Sequence, residues 1–197
     1  MLTVQELMKE IETNGGLTPA KKIRETAERF PEMIAMREKN FGKWEEITYQ
    51  QYWEQAQWIG CALNYFGVDT QDSVAIHSEN RPEWFISDVG SQAIGAISVG
   101  LYPTNPPAEV SYLIGHSESK ILFAEDQEQV DKALEVIDEL PGLKKIIYFE
   151  PRGLTNYDNP LLMTWDDFLH IGKEEFEKNP NFVNDKLELI DPEDITL

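Results

Sequence analysis

Potentially reactive side chains are scattered along the chain. His77, His116 and His170 are far apart in sequence and lack the i,i+4 histidine or the cysteine companions of a zinc site. Cys61, the single cysteine, has no histidine near it in sequence, which favours a structural thiol over a nucleophile. These residue types and spacings therefore predict neither a metal site nor a catalytic site.

Two short patterns begin like reactive loops but lack essential members. Residues 115–119, Gly-His-Ser-Glu-Ser, start like a nucleophile elbow, yet the second glycine is missing and the segment ends a predicted helix. Gly90, Gly95 and Gly100 recur every five residues, but no lysine follows them and the spacing is not that of a dinucleotide fingerprint. Close packing of helices on a sheet is the simpler explanation for these glycines.

The composition limits the classes of function. The 197 residues are 41% hydrophobic and 11% aromatic, which suffices for a globular core. A formal net charge of -19 opposes binding to nucleic-acid phosphates, so no nucleic-acid partner is expected. One cysteine favours a reducing compartment, and the first residues lack the basic and apolar regions of a secretory leader. We therefore expect a cytoplasmic protein.

Residues 1–47 are predicted to form helices and a small hairpin. Apolar residues recur with helical spacing over 2–11, and a second helix is predicted over 18–30. Short β-like runs at 33–38 and 43–47 are joined by a plausible hairpin turn. The sequence signals for helix and strand boundaries are clearer in the part of the chain that follows this segment.

The next helix has the clearest predicted boundaries. Thr48 and Gln51 have the spacing of a capping box, and Ile47 and Tyr52 have that of a hydrophobic staple. Gly67 supplies a stop at the other end.

From residue 73 to residue 149, short apolar strands alternate with helices. The predicted strands are 73–78, 96–101, 120–124 and 145–149, and the predicted helices include 106–116 and 128–140. Another helix is predicted to begin after Asn80, which serves as its N-cap, and Glu83, three residues later, is predicted to support the cap. The alternation predicts an α/β fold, a mostly parallel βαβ sheet flanked by helices. In this division 48–150 form the core, and 151–197 form a surface connection around one helical island at 165–170.

Ligands of parallel sheets bind at the carboxyl ends of the strands, so the loops after Ser78, Leu101 and Ala124 are the candidate sites. His77 also lies at a predicted strand end. A hydrogen-bonded structural histidine is the safer interpretation of it.

Several short pieces of sequence carry a resemblance to a known family. They are Asn80-Arg81-Pro82-Glu83-Trp84, Gly95-Ala96, Leu101-Tyr102-Pro103-Thr104, Pro107-Ala108-Glu109-Val110, Trp44-x-x-Ile47-Thr48-Tyr49, Leu140-Pro141-Gly142-Leu143 and Trp165-Asp166-Asp167-Phe168-Leu169. Together they extend over nearly the whole chain in the family's order. The chain resembles the AMP-forming acyl-CoA synthetases, and within them the long-chain fatty acid–CoA ligases.

This resemblance implies the N-terminal part of the adenylate-forming enzyme fold. Such enzymes join a fatty acid carboxylate to the α-phosphate of ATP and then pass the acyl group to the thiol of coenzyme A. A long-chain fatty acid, ATP, Mg²⁺ and CoA are therefore expected for the full-length enzyme. The family's phosphate loop follows an Asp-Pro-x-Asp turn, which matches Asp191 to Asp194 here. Because that loop and the C-terminal domain are absent from the 197 residues, we expect the chain alone to be inactive, with no catalytic and no metal-binding residue.

The resemblance also implies one candidate binding loop. In related CoA ligases the loop that matches Tyr102, Pro103 and Thr104 lies beside the path of the coenzyme. A proline-stiffened turn between strand and helix is the alternative explanation. Arg81 is a second candidate for phosphate contact, although an exposed first-turn residue of a capped helix needs no ligand.

Three hypotheses about function remain open at this point. The first is the N-terminal part of a long-chain fatty acid–CoA ligase, and the second is a related enzyme that adenylates a medium-chain, aryl or amino acid carboxylate. The third is a scaffold module without catalysis. A cut piece is expected to self-associate through apolar surface, and peripheral membrane contact is a further expectation for the full-length enzyme.

Overall fold

The computed structural model describes Thr3 and residues 18–194. The helix predicted over 2–11, apart from Thr3, and the strand predicted to begin at 195 lie outside the described residues. The helices are α1 (Pro19–Arg29), α2 (Tyr49–Tyr65), α3 (Pro82–Ala93), α4 (Pro107–His116), α5 (Gln127–Glu135), α6 (Trp165–Lys178) and α7 (Phe182–Glu188), with a 3-10 turn at Ile137–Glu139. The strands are β1 (Ile34–Asn40), β2 (Lys43–Thr48), β3 (Ser73–His77), β4 (Ile97–Leu101), β5 (Ile121–Ala124), β6 (Lys145–Tyr148) and β7 (Leu162–Thr164).

Strands β1 and β2 form the predicted antiparallel hairpin. The two residues at its turn, Phe41 and Gly42, have φ of 45° and 82°. Two successive positive φ angles are typical of the mirror-image turn that matches the twist of a two-residue hairpin. Glycine adopts this conformation freely, whereas a phenylalanine at the first position is unusual.

The boundaries of α2 agree with the sequence prediction. Thr48 Oγ1 accepts a hydrogen bond from the Gln51 backbone N–H, and the Gln51 side chain accepts one from the Thr48 N–H, which completes the capping box. Gly67, with φ of +75°, follows the last helical residues. Local capping chemistry therefore determines both ends of this helix.

The main sheet has five parallel strands in the order β4-β3-β5-β6-β7. Because successive side chains of a strand point to opposite faces, β3 and β5 divide their apolar residues between two cores. One face carries Ile76 and Phe123 with α1, α2, α3, α6 and α7; the other carries Ala75 and Leu122 with α4 and α5. The predicted parallel α/β sheet flanked by helices is confirmed.

Two predicted elements need correction. The helix predicted over 128–140 is interrupted: α5 ends at Glu135, and a 3-10 turn follows. The segment predicted as a surface connection instead supplies an edge strand, β7, and two helices, with Phe168 and Val183 fully buried. The sequence interpretation of this segment was wrong because its apolar residues are spaced among many acidic ones, as an amphipathic helix requires.

Close helix contacts depend on two glycines. A Cβ at Gly90 in α3 would lie 2.6 Å from the Ile59 Cβ in α2, and one at Gly172 in α6 would lie 2.7 Å from the Trp58 carbonyl carbon. Gly90 thus allows helix to pack on helix, whereas the expected contact was between helix and sheet. Among the described residues, no helix combines the length and the apolarity needed to cross a bilayer.

Candidate functional site

A cavity of about 450 Å³ lies where the carboxyl ends of β3 and β4 meet. Residues 78–80 and Trp84 form one side of it, and residues 100–103 form the other. The structure therefore brings together two of the three predicted loops. The third loop, after β5, supports the first, because the Glu125 carboxylate accepts a hydrogen bond from the Glu79 backbone N–H at 2.7 Å.

Two larger cavities are less suited to an anionic ligand or lie at the wrong edge. A cavity of about 580 Å³ is lined by Asp126, Glu128, Asp131 and Glu150 and by one basic residue, Arg152, so that its net negative charge repels phosphates and carboxylates. Another, of about 600 Å³, is lined by residues 114–115, 118–120 and 139–144, which precede β5 and β6 in the chain. Ligands of parallel sheets bind at the opposite, carboxyl edge. The cavity beside Tyr102 is the best candidate.

The candidate loop, Tyr102–Thr104, is held through its backbone carbonyl groups by side chains of β3 and α5. His77 Nε2 lies 3.1 Å from the Tyr102 carbonyl oxygen, and Lys132 Nζ donates to the Pro103 carbonyl oxygen at 2.6 Å. The Gln129 side-chain amide lies 3.5 Å from the same Pro103 oxygen. The loop is fixed without using its side chains: Thr104 is exposed, and the Tyr102 side chain is 78% exposed at the rim of the cavity.

His77 has a structural position beneath this loop. Its side chain is fully buried. Because a carbonyl oxygen can only accept a hydrogen bond, Nε2 must carry the hydrogen and donate it to the Tyr102 carbonyl oxygen. Nδ1 has no partner among the described residues. Burial, with a smaller contribution from the charge of Lys132, lowers the pKa of His77 from 6.5 to about 4. The imidazole is therefore neutral at physiological pH, which supports the structural interpretation over ligand contact.

Arg81 is not available for phosphate as the sequence suggested. Its guanidinium donates two hydrogen bonds to the Glu83 carboxylate, at 2.8 and 3.0 Å. Its Nη1 atom also lies 3.8 Å from Glu125 Oε1. The guanidinium carbon also lies 5.6 Å from the centre of the Phe149 ring. The side chain is half-buried rather than exposed, so it joins the loop after β3 to the loop after β5.

The predicted N-cap of α3 is also wrong, because Arg81 and Glu83 pair with each other. Arg81 occupies the cap position and makes no side-chain capping bond, so Asn80 is one residue too early. Glu83 binds the Arg81 side chain instead of assisting a cap. Long-range pairing of Arg81 with Glu125 could not be read from local spacing.

The remaining reactive residues have ordinary structural roles. Burial raises the pKa of the Cys61 thiol to about 12, as a structural cysteine requires. The Ser117 hydroxyl donates to the Leu113 carbonyl at the end of α4, so this serine is not on a nucleophile elbow. Across residues 18–194, no group of three or more His, Cys, Asp or Glu side chains is placed to hold a metal ion.

Sequence reasoning missed the supports of the candidate loop. Lys132 and Gln129 belong to α5, which follows β5, and β3 separates β5 from β4 in the sheet. Their i,i+3 spacing places them on one face of that helix, which is the only local signal that they share a contact. Trp84 lies on the cavity wall, and no sequence signal indicated this beyond its place in the Asn80–Trp84 motif.

Comparison with known proteins identifies the family. The family described as AMP-binding enzyme matches residues 23–193. Long-chain-fatty-acid–CoA ligase ACSBG2 of Xenopus laevis is 33% identical over 152 residues, which cover 77% of this chain and 20% of that protein. The human protein of the same name is 34% identical over 152 residues, covering 77% of this chain and 22% of its own length. The chain thus spans about a fifth of the length of these relatives.

Solved structures agree on the fold. Acetoacetyl-CoA synthetase from Streptomyces lividans superposes with a TM-score of 0.67 and 19% identity, covering 76% of this chain and 24% of that one. The anthranilate CoA ligase AuaEII, in complex with anthranoyl-AMP, gives a TM-score of 0.66 at 20% identity, covering 77% and 26%. The parallel sheet, its two helical layers and the family match lead to one conclusion: the chain belongs to the AMP-binding enzyme family.

Proposed function

We propose that this chain is part of a long-chain fatty acid–CoA ligase, which activates a fatty acid with ATP to acyl-AMP and transfers the acyl group to CoA. The observation that carries the substrate class is the 33–34% identity to ligases of that name over 77% of the chain. The proposed location is the cytoplasm, because a single cysteine is more typical of a reducing compartment.

The described residues do not fit the ATP phosphates and Mg²⁺. Among the described residues, no lysine or arginine lines the cavity beside Tyr102, and Arg81 is held by Glu83. Glu79, on the cavity wall, adds a negative charge that repels phosphate. The 197 residues also contain no Ser/Thr/Gly-rich loop ending in lysine after the Asp191 turn. The nucleotide and metal chemistry is therefore assigned to no residue here.

The cavity does fit the uncharged arm of coenzyme A. Trp84, Leu101 and Pro103 supply apolar walls for its methylene groups, and Ser78 and Asn80 place polar groups beside them. Small-molecule sites generally combine such apolar walls with a few polar groups. We propose that Tyr102, Pro103 and Thr104 form the side of the site that the coenzyme passes, while its reacting thiol meets acyl-AMP elsewhere.

Pyrophosphate release tests the proposed activity. With ATP and Mg²⁺, the gene product that contains these residues is expected to turn over long-chain fatty acids at least about tenfold faster than acetoacetate or anthranilate, since binding of additional methylenes favours the longer acid. The isolated 197-residue chain is expected to release none. A preference for a short or aromatic acid would defeat the long-chain assignment, and failure to adenylate any acid would defeat the proposed ligase.

Replacing Tyr102 by alanine tests the loop. The side chain is exposed at the cavity rim, so we expect normal folding and an approximately tenfold rise in the KM for CoA. Acyl-AMP formation without CoA should keep its rate, because that step does not use the coenzyme. Tyr112→Ala is the matched control, since this tyrosine of α4 is also exposed but does not line the cavity. Equal KM values in wild type and Tyr102→Ala would remove the loop from the CoA site.

A further inference from the structure

The loop after β4 is a turn over Tyr102–Asn105. It is closed by a hydrogen bond from the Asn105 N–H to the Tyr102 carbonyl oxygen, at 2.9 Å. Pro103 occupies the second position of the turn and Thr104 the third. Proline suits the second position of both type I and type II turns, which differ by a flip of the middle peptide group. Pro103 by itself therefore leaves the orientation of that group open.

The middle peptide group is held by Thr104 and by Lys132. A type II turn needs a positive φ at its third position, which a β-branched residue resists, and the φ of Thr104 is not positive. The carbonyl of the middle peptide is that of Pro103, and Lys132 Nζ donates a hydrogen bond to it at 2.6 Å. Lys132 thus restrains the peptide group that proline leaves free.

Lys132 is the principal donor to this carbonyl. The Gln129 side-chain amide lies 3.5 Å from the same oxygen, beyond the roughly 2.7–3.2 Å of an ordinary N–H···O hydrogen bond. Lys132 also pairs with Glu128, one helical turn earlier, at 2.7 Å. The Glu128 side chain is 68% exposed, and exposed ion pairs of this kind contribute little to stability. The Lys132 side chain, by contrast, is only 16% exposed.

This restraint acts on the wall of the candidate cavity. Tyr102 and Pro103 line the cavity, whereas Lys132 does not. Any rotation of the peptide group between Pro103 and Thr104 displaces the wall that these two lining residues form. Lys132 therefore influences the shape of the cavity without contacting what binds in it.

We propose that Lys132 is a positioning residue for coenzyme A. Its ammonium group holds the Pro103 carbonyl, which keeps Tyr102 and Pro103 in the arrangement that binds the uncharged arm of the coenzyme. This inference rests on the proposed function and adds to it a residue that does not touch the coenzyme. Since the thiol reacts elsewhere, loss of the restraint weakens ground-state and transition-state binding of CoA equally. Such a loss raises the KM for CoA and leaves kcat unchanged.

Lys132→Met in the complete gene product tests this role. Methionine retains an unbranched apolar chain but removes the donor. The KM for CoA should rise about tenfold, with kcat changed by less than about twofold. Isothermal titration calorimetry with CoA should show a similar rise in Kd. Lys132→Arg keeps a charged donor and should return the KM to within about threefold of wild type.

Lys145→Met is the matched control. Lys145 Nζ also donates to a proline carbonyl at 2.6 Å, that of Pro160, but neither residue lines the candidate cavity. Its replacement removes the same kind of contact elsewhere in the fold. The KM for CoA should therefore stay at the wild-type value.

A double-mutant cycle tests whether Lys132 acts through the loop. Since Tyr102→Ala is expected to raise the KM about tenfold, adding Lys132→Met should raise it by clearly less than a further tenfold. Independent, multiplying effects would overturn the positioning role. Equal KM values in wild type and Lys132→Met, with acyl-CoA formed by both, would overturn it too. If the wild type adenylated no acid, the proposed ligase would fail and this inference with it.

Discussion

Phe168→Ala is expected to lower the free energy of unfolding of this chain by about 3–5 kcal/mol. Phe168 in α6 is fully buried, with its ring centre 5.7 Å from that of Phe66 and 5.6 Å from that of Phe123. Truncation removes the apolar surface of the ring and leaves a cavity between α2, α6 and β5. Urea unfolding followed by circular dichroism measures the change.

Leu189→Ala is the matched control for that experiment. This leucine also belongs to the segment that was predicted to be a surface connection, but its side chain is 82% exposed. Its truncation should change stability by less than about 0.5 kcal/mol. An equally small effect of Phe168→Ala would mean that the segment does not complete the core.

Lowering the pH from 7 to 5 is expected to cost about 2 kcal/mol of stability through His77 alone. The pKa of His77 is about 4 in the folded chain and 6.5 in the unfolded reference. The folded state therefore binds fewer protons than the unfolded state over this range. Stability from this group is present above pH 6.5 and is lost as the pH falls from about 6.5 to about 4.

Comparison with His77→Gln isolates this contribution. Glutamine does not titrate and keeps an N–H donor for the Tyr102 carbonyl. Burial raises the pKa of Asp88 and Glu38, which changes stability with the opposite sign, but these groups are common to both proteins. Urea unfolding at several pH values should show the wild type losing more stability than His77→Gln between pH 7 and 5. Parallel profiles for the two proteins would contradict a neutral buried imidazole.

Much of the sheet could be predicted because its signals are local. The apolar runs of β3 to β6 and the Thr48–Gln51 capping box need only neighbouring residues to be recognised. The same holds for the loops after β3 and β4, since parallel strands place their carboxyl ends at one edge. The candidate cavity was predicted in this sense, as a place rather than as a set of contacts.

The remainder depends on contacts between distant parts of the chain. Strand β7 has three residues and becomes a strand only because β6 offers it a pairing edge. Arg81 appeared exposed from its first-turn position, and its burial follows from Glu125, which lies on another loop. Lys132 was unremarkable in sequence until β5 and α5 placed it under Pro103. Local propensity contains no information on such pairings.

The contact between α6 and α2 has a consequence for synthesis on the ribosome. Gly172 and Trp58, which meet there, are roughly a hundred residues apart in sequence, and contacts of such long separation slow folding. The core of the face formed by α4 and α5 is complete once Leu154, shortly after β6, has emerged. The other face must wait for α6 and α7, so α2 and one side of the sheet stay uncovered in the nascent chain. During that interval the growing polypeptide is most exposed to aggregation and most in need of a chaperone.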